Sequence, residues 1–263
     1  MLQHSHRDDF LFPGQLRSDW AGAPLSLAGI TIPTGFPETD DIITPTIREA
    51  IEEGYYEASE ARFIPRIVEP GDRVLELGAG IGFISTLVAR QPGVEKIVAV
   101  EANPKLIPFI RRLHRMNHVD GVEVVNAILA NGLEGPVQFY LREDFWMSSM
   151  APGPEPYCEV VEIPVVNMDA LLRRERINLV ICDVEGAEAT LFEGADLSSV
   201  ERFYLELHDH LTGIRGIADV FRTLAGQGLI YDPRGSAGPV VLFRRLEADE
   251  VLRPYAGKQA ELV

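Results

Sequence analysis

The stretch Val74–Phe83, VLELGAGIGF, decides the fold. An apolar run carries one carboxylate, Glu76, and glycines follow at Gly78, Gly80 and Gly82. A buried strand at 73–78 that turns on glycines into a helix at 83–91, with Ile84, Leu87 and Val88 sharing a face, opens an α/β sheet. The same alternation continues downstream. KIVAVEA (96–102) predicts a second strand, and Asn103-Pro104 starts a helix on which Leu106, Ile110 and Leu113 recur. Further strands are expected at 122–128, 177–183 and 200–208, with helices at 186–195 and near 214–226. The last two apolar runs, 229–233 and 239–245, are joined by DPRGSAG and should pair as an antiparallel hairpin. Strands with helices between them imply a mostly parallel sheet covered on both faces.

Upstream of this core the pattern differs. SLAGITIP predicts an edge strand, Thr44-Pro45 starts a helix carrying Ile47, Ala50 and Ile51, and a second helix is expected over 57–68. The organisation read from the chain is an N-terminal cap or lid (1–70), a core (71–246) and a C-terminal tail (247–263). Residues 131–168 form an insertion between the third and fourth core strands, and Phe145 and Trp146 in it are candidates to wall an acceptor pocket.

With 263 residues, 46% of them hydrophobic, the chain suits one large domain or a domain with a cap. Its 40 acidic and 24 basic residues give a formal charge of −16. RRLHR (111–115) is interrupted by Leu113 and reads as a solvated helix face. The expectation is therefore no nucleic-acid partner, since phosphate binding needs a basic surface. No apolar run is long enough to span a bilayer, no signal peptide is visible, and Cys158 and Cys182 form no pairing motif, so a cytoplasmic, membrane-free location is expected.

The glycine loop does not fit a dinucleotide. From Gly78 or Gly80 the third slot of G-x-G-x-x-G falls on Phe83 or Ser85. A carboxylate at Glu76 would also repel a pyrophosphate resting on the following helix. A ligand with a positive centre and no phosphate, S-adenosylmethionine, escapes that repulsion. Its amino-acid portion would lie against Gly78, Ala79, Gly80 and Gly82, where a side chain would intrude. Glu101, with Ala102, ends the second strand where an acid accepts from ribose hydroxyls, and Asn126-Ala127 is placed to hold an adenine edge. Tyr56, Glu57 and Glu60 precede the first strand, and Glu57 is the candidate for the donor's ammonium.

These segments, with DVEGAEATLFEGA (183–195) and FYLELH (203–208), resemble the FkbM family of S-adenosylmethionine-dependent methyltransferases over roughly residues 53–245. The resemblance implies a seven-stranded Rossmann-like sheet and O-methylation of a hydroxyl on a small molecule or sugar. A non-catalytic S-adenosylmethionine-binding sensor or partner protein is the alternative. The N-terminal segment offers a contact for a homodimer.

Acceptor chemistry needs groups that align a hydroxyl and take its proton. Asp183 at a strand end and Glu185 in the turn after it are candidates, as are Glu206 and His208, which share a face of the fifth strand. His208 would take the proton and Glu206 would orient it, while Asp183 also adjoins the donor. Glu188 reads as a helix-start charge. Asp183, Glu206, His208, Asp209 and His210 could alternatively hold a divalent metal, but their spacing matches no fixed ligand motif and no metal is expected.

Overall fold

The computed structural model describes residues 25–35, 39 and 41–246. The expected tail at 247–263 and the first 24 residues lie outside the described residues. The strands run β1 (Leu25–Leu27), β2 (Ile30–Ile32), β3 (Arg73–Leu77), β4 (Lys96–Glu101), β5 (Val122–Asn126), β6 (Ile128–Ala130) and β7 (Val137–Leu141), then β8 (Glu159–Ile163), β9 (Val165–Asn167), β10 (Leu179–Cys182), β11 (Arg202–Glu206), β12 (Leu229–Ala237) and β13 (Val240–Arg245). The α-helices are α1 (Pro45–Glu53), α2 (Ala58–Ile67), α3 (Phe83–Ala89), α4 (Leu106–Met116), α5 (Met168–Glu175), α6 (Glu188–Leu191) and α7 (Asp209–Gly226).

Seven strands form one sheet in the order β12-β13-β11-β10-β3-β4-β5, in which β13 alone runs against the others. This is the doubly wound, Rossmann-like α/β sheet with a closing antiparallel hairpin that the apolar runs predict. Strand side chains alternate between two cores. Val74, Ala99, Ile181 and Tyr204 face α2, α3 and α4, whereas Leu75, Val98, Val180 and Phe203 face α5 and α7. Burial of each such aliphatic side chain contributes about 1.5–3 kcal/mol, and this holds the sheet between its helices.

Several local expectations are corrected. SLAGITIP forms the separate β1–β2 hairpin and not an edge of the main sheet. Its Leu25, Leu27, Ile30 and Ile32 join the α3–α4 core, as do Ile47 and Ile64, so the cap is continuous with that layer. The helix expected at 186–195 is one short turn, because Gly186 adopts φ 92° and Gly194 φ 70°. Helix α7 starts earlier than its apolar spacing indicates and is interrupted at Gly213. Within RRLHR, His114 is buried: it packs beside Gly82, approaches Ser85 Oγ at 3.1 Å, and burial lowers its pKa to about 4. The insertion builds the β7–β8 ribbon and β9, which pairs with β6.

Strand register sets up the site. Leu77 lies level with Cys182 and Val100, Cys182 with Leu205, and Glu101 with Asn126. The next residues, Gly78, Asp183 and Glu206, therefore emerge together at the C-terminal edge, beside Glu101 and Asn126. Chain order reverses at β3, so a crevice opens there, the usual ligand position in such sheets.

Candidate active site

Gly78 is required by strand approach. At its φ of 79°, a Cβ would lie 1.6 Å from the Asp183 carbonyl oxygen. Its role is to let β3 and β10 converge, which differs from the expected role against a ligand. Gly80 does face the crevice: a Cβ there would meet Tyr56 Oη at 3.1 Å, Glu57 Oε1 at 3.3 Å and Phe145 at 3.6 Å. Tyr56 stacks on Trp146 and meets Phe83 and Phe145 edge-on. The side chains before α2 and those of the insertion thus converge over the glycine loop. Thr44, the α1 cap, hydrogen-bonds Asp144 at 2.5 Å and ties the insertion to this arrangement.

Glu76 is not at the entrance. It is 3% exposed, its Oε1 accepts the Ser85 N–H at 2.9 Å, and its Oε2 is buried without a partner. It anchors the start of α3 from beneath the loop, and burial pushes its pKa up to about 8. Glu101 accepts from the N–H groups of Gly80 (2.9 Å) and Asn103 (2.7 Å) and so clamps the loop to the end of β4. Burial raises it to about 7 despite those bonds. Asn126 donates through Nδ2 to the carbonyls of Glu101 and Ala102, and the Ala127 N–H bonds the Glu101 carbonyl. The donors expected to hold an adenine are therefore committed to the β4–β5 edge, and the Asn126 amide keeps only its oxygen for a ligand.

A narrow crevice beside the loop is lined by Glu57, Glu60, Glu76, Asp183 and Glu206, with Gly78, Ile84 and Tyr204. Tyr204 on β11 donates toward the carbonyls of Ser59 and Glu60 and fixes α2 against the sheet. Glu60 is 6% exposed, and its burial, then the neighbouring Glu206, raises its pKa to about 10. Glu57 is also raised, by burial first, against a lowering influence of the Tyr56 hydroxyl and with help from nearby carboxylates. Among the described residues no Lys or Arg forms an ion pair with any of these five acids.

His208, 4% exposed, stands at the start of α7. Its Nε2 lies 3.4 Å from Asp183 Oδ1, 3.4 Å from Glu185 Oε2 and 3.9 Å from Glu206 Oε2. Its Nδ1 is 3.3 Å from Glu188 Oε1, outside hydrogen-bond alignment, while its backbone N–H donates to that oxygen at 2.9 Å. All four expected catalytic residues are brought together. Glu188 does stand in the first turn of α6, as the sequence indicates, and what the sequence reading missed is that its fully buried side chain also supports His208. Burial opposes charge on His208, but Glu188, Asp183 and Glu185 outweigh it and raise its pKa. Asp183 and Glu185 are both raised, by burial first. Glu185 adopts φ 47°, an uncommon backbone state for a non-glycine residue.

Residues 54–137 match the family model of the TRM5/TYW2 methyltransferase domain. No curated protein matches. Similar solved structures include precorrin-6y C5,15-methyltransferase from Geobacter metallireducens, 14% identical with a TM-score of 0.43 over 72% of this chain and 88% of that one. TYW2 from M. jannaschii, in complex with AdoMet, is 16% identical with a TM-score of 0.38 over 71% and 75%. Trm5b from Pyrococcus abyssi is 14% identical with a TM-score of 0.44 over 83% and 54%. The expected exclusion of nucleic acid is overturned by the family match, since TRM5 and TYW2 are tRNA methyltransferases. Net charge averages over the whole surface, and exposed Arg111 and Arg115 on α4 show that basic positions persist locally.

Proposed function

We propose that the chain is an S-adenosylmethionine-dependent methyltransferase acting on a hydroxyl oxygen. The observation that carries this reading is the crevice at the strand-order reversal, where five carboxylates converge beside a glycine loop without a Lys or Arg partner among the described residues. A sulfonium and an ammonium supply the missing positive charge, and Glu101 at the end of β4 stands where ribose hydroxyls would bind. Glu57, Glu76 and Asp183 would face the donor's cations, while the backbone from Gly78 to Gly82 carries its amino-acid portion.

In the reaction the acceptor oxygen attacks the methyl carbon in line. S-adenosylmethionine held by the Gly78–Gly82 loop, Glu57 and Glu101 would supply an activated methyl group, with the carbon–sulfur electron pair retained by its sulfur. The hydroxyl proton passes to the cluster of Asp183, Glu185, Glu206 and His208. Holding both reactants in line supplies much of the acceleration, and positioned proton transfer contributes about 10²–10⁴-fold. The motif resemblance to FkbM methyltransferases supports a hydroxyl of a small molecule or sugar as acceptor. The TRM5/TYW2 match favours a second reading, in which tRNA carries the acceptor. The free thiols, Cys158 exposed and Cys182 buried, and the absence among the described residues of a helix long and apolar enough to cross a membrane agree with work in the cytoplasm.

The test is ligand-induced thermal stabilisation followed by a methyl-transfer assay. S-adenosylhomocysteine should raise the melting temperature and NAD should not; the reverse result refutes the reading. Isotopically labelled methyl groups should then appear on a polyhydroxyl compound or on tRNA, and which one is labelled decides between the acceptors.

A further inference from the structure

The acids at the C-terminal edge fall into two groups with different needs. Glu57, Glu60 and Glu76 line the crevice proposed for the donor, whose own cation balances them. Asp183 and Glu206 border that crevice too and, with His208, form a second group, whose ligand atoms all lie within 4.8 Å of one another. Asp209 and His210, also considered from the sequence, are exposed and contribute no ligand atom to it, although the His210 ring packs edge-on against His208.

The second group shows two features of an unmet ligand site. The His208 ring is 95% covered yet directs Nε2 at carboxylates 3.4–3.9 Å away, too far for good hydrogen bonds. Asp183 Oδ1 is buried and has no hydrogen-bond partner. Buried polar atoms are normally satisfied, so the open Asp183 Oδ1 beside His208 Nε2 indicates an absent partner. A positive partner fits this place, because Asp183, Glu185, Glu188 and Glu206 all stand within 4 Å of a single imidazole. Adjacent ligands of an octahedral ion at about 2.1 Å stand roughly 3 Å apart, so Asp183 Oδ1, 3.4 Å from His208 Nε2, and Glu206 Oε2, 3.9 Å from it, would close in by about 0.4 and about 0.9 Å as their side chains turn onto the ion.

We propose that Asp183, Glu206 and His208 bind a divalent cation of the Mg²⁺ or Mn²⁺ type that holds the acceptor hydroxyl. Two carboxylate oxygens with one imidazole nitrogen suit Mn²⁺ well, and three protein ligands leave positions open. An acceptor with a second oxygen next to the reacting hydroxyl would chelate the ion. The ion would make the hydroxyl easier to deprotonate, with the proton passing to Glu185. Glu188 is then a positioning residue, which accepts the His208 backbone N–H at 2.9 Å and stands beside Nδ1. The chemical role assigned to the ion rests on the methyl-transfer reading; its binding does not.

The experiment titrates Mn²⁺ into the EDTA-stripped full chain by electron paramagnetic resonance and measures S-adenosylhomocysteine binding calorimetrically on the same samples. One Mn²⁺ per chain is expected. Asp183→Asn, Glu206→Gln and His208→Ala should each weaken it at least tenfold, while Glu193→Gln, on the exposed surface, should leave it unchanged. Folding of every variant is checked by circular dichroism, and one folded ligand variant suffices for the comparison. Equal Mn²⁺ binding by wild type and all folded ligand variants overturns the proposal, as does no binding to a chain that still binds S-adenosylhomocysteine. Mn²⁺ binding without S-adenosylhomocysteine binding supports the ion site and refutes the donor reading.

Discussion

The two ends of the β-strands handle buried charge in opposite ways. At the N-terminal edge, Arg202 is 9% exposed, yet it donates to Asp72 at 2.5 Å and to the Ile67 carbonyl at 2.7 Å. Asp72 also accepts from Asn178 and from the Glu69 N–H, and Asn178 accepts the Arg73 N–H. Charges and dipoles close on one another there. At the C-terminal edge, carboxylates crowd together and buried oxygens of Glu76, Asp183 and Glu188 have no partner. The first edge is a finished structural network, and the second is finished only by something that binds. Perturbed, poorly satisfied groups concentrate where function needs them, and a completed network confers stability alone.

The largest effect that would break this contrast lies at the paired edge. Arg202→Met strands the buried Asp72 carboxylate and should destabilise the fold by about 3–5 kcal/mol, read from urea unfolding. A loss under 1 kcal/mol would show that the network is not completed by this arginine.

At the open edge the cost should fall on turnover. His208→Asn should lower kcat by about 10²–10³-fold, in the range for a lost proton-transfer or orienting group, with little change in S-adenosylhomocysteine affinity. Equal losses in binding and turnover would instead place His208 in the donor site.

The contrast also explains what the sequence could disclose. The strand–helix alternation was legible because parallel strands buried on both faces are apolar throughout, as RVLEL and LVIC are. Asp183, Glu185, Glu206 and His208 were legible because acids at strand ends stand out against such runs. The partners were not. Glu188 looked like any acid at a helix start, and only the fold brings it against His208. Tyr204 reads as a core aromatic, and its hydroxyl meets Ser59 and Glu60 only through the packing of α2 on β11. Asn126 was placed correctly at its strand end, but a bond from its amide to the neighbouring strand has no linear signature.

A smaller effect concerns pH. Burial holds Glu101 near 7, and the ribose hydroxyls proposed to bind there would favour its ionised form as acceptor. Affinity for S-adenosylhomocysteine should therefore rise on the order of tenfold from pH 6 to pH 8, as the proton leaves. Glu101→Gln should bind more weakly and lose most of this slope. An unchanged slope in the variant would assign the titration to another group, with Glu76 the nearest candidate on β3.

Glu76→Gln carries the smallest change and tests the contrast most directly. The folded pKa of Glu76, about 8, lies above its ordinary value of 4.5, so the folded chain retains a proton that the unfolded chain releases. Its contribution is present below pH 4.5 and is lost as pH rises toward 8. A glutamine oxygen still accepts the Ser85 N–H, and the amide cannot ionise, although its NH₂ group inherits the position of the unpartnered oxygen. After that offset, the ligand-free variant should be more stable than wild type by about 1 kcal/mol at pH 8.5 and no more stable at pH 5. It should also bind the donor less well, because Glu76 lines the crevice proposed for the donor. Melting curves that run parallel across this range would mean that Glu76 is as settled in its surroundings as Asp72, and the difference between the two edges would shrink to His208 and its neighbours.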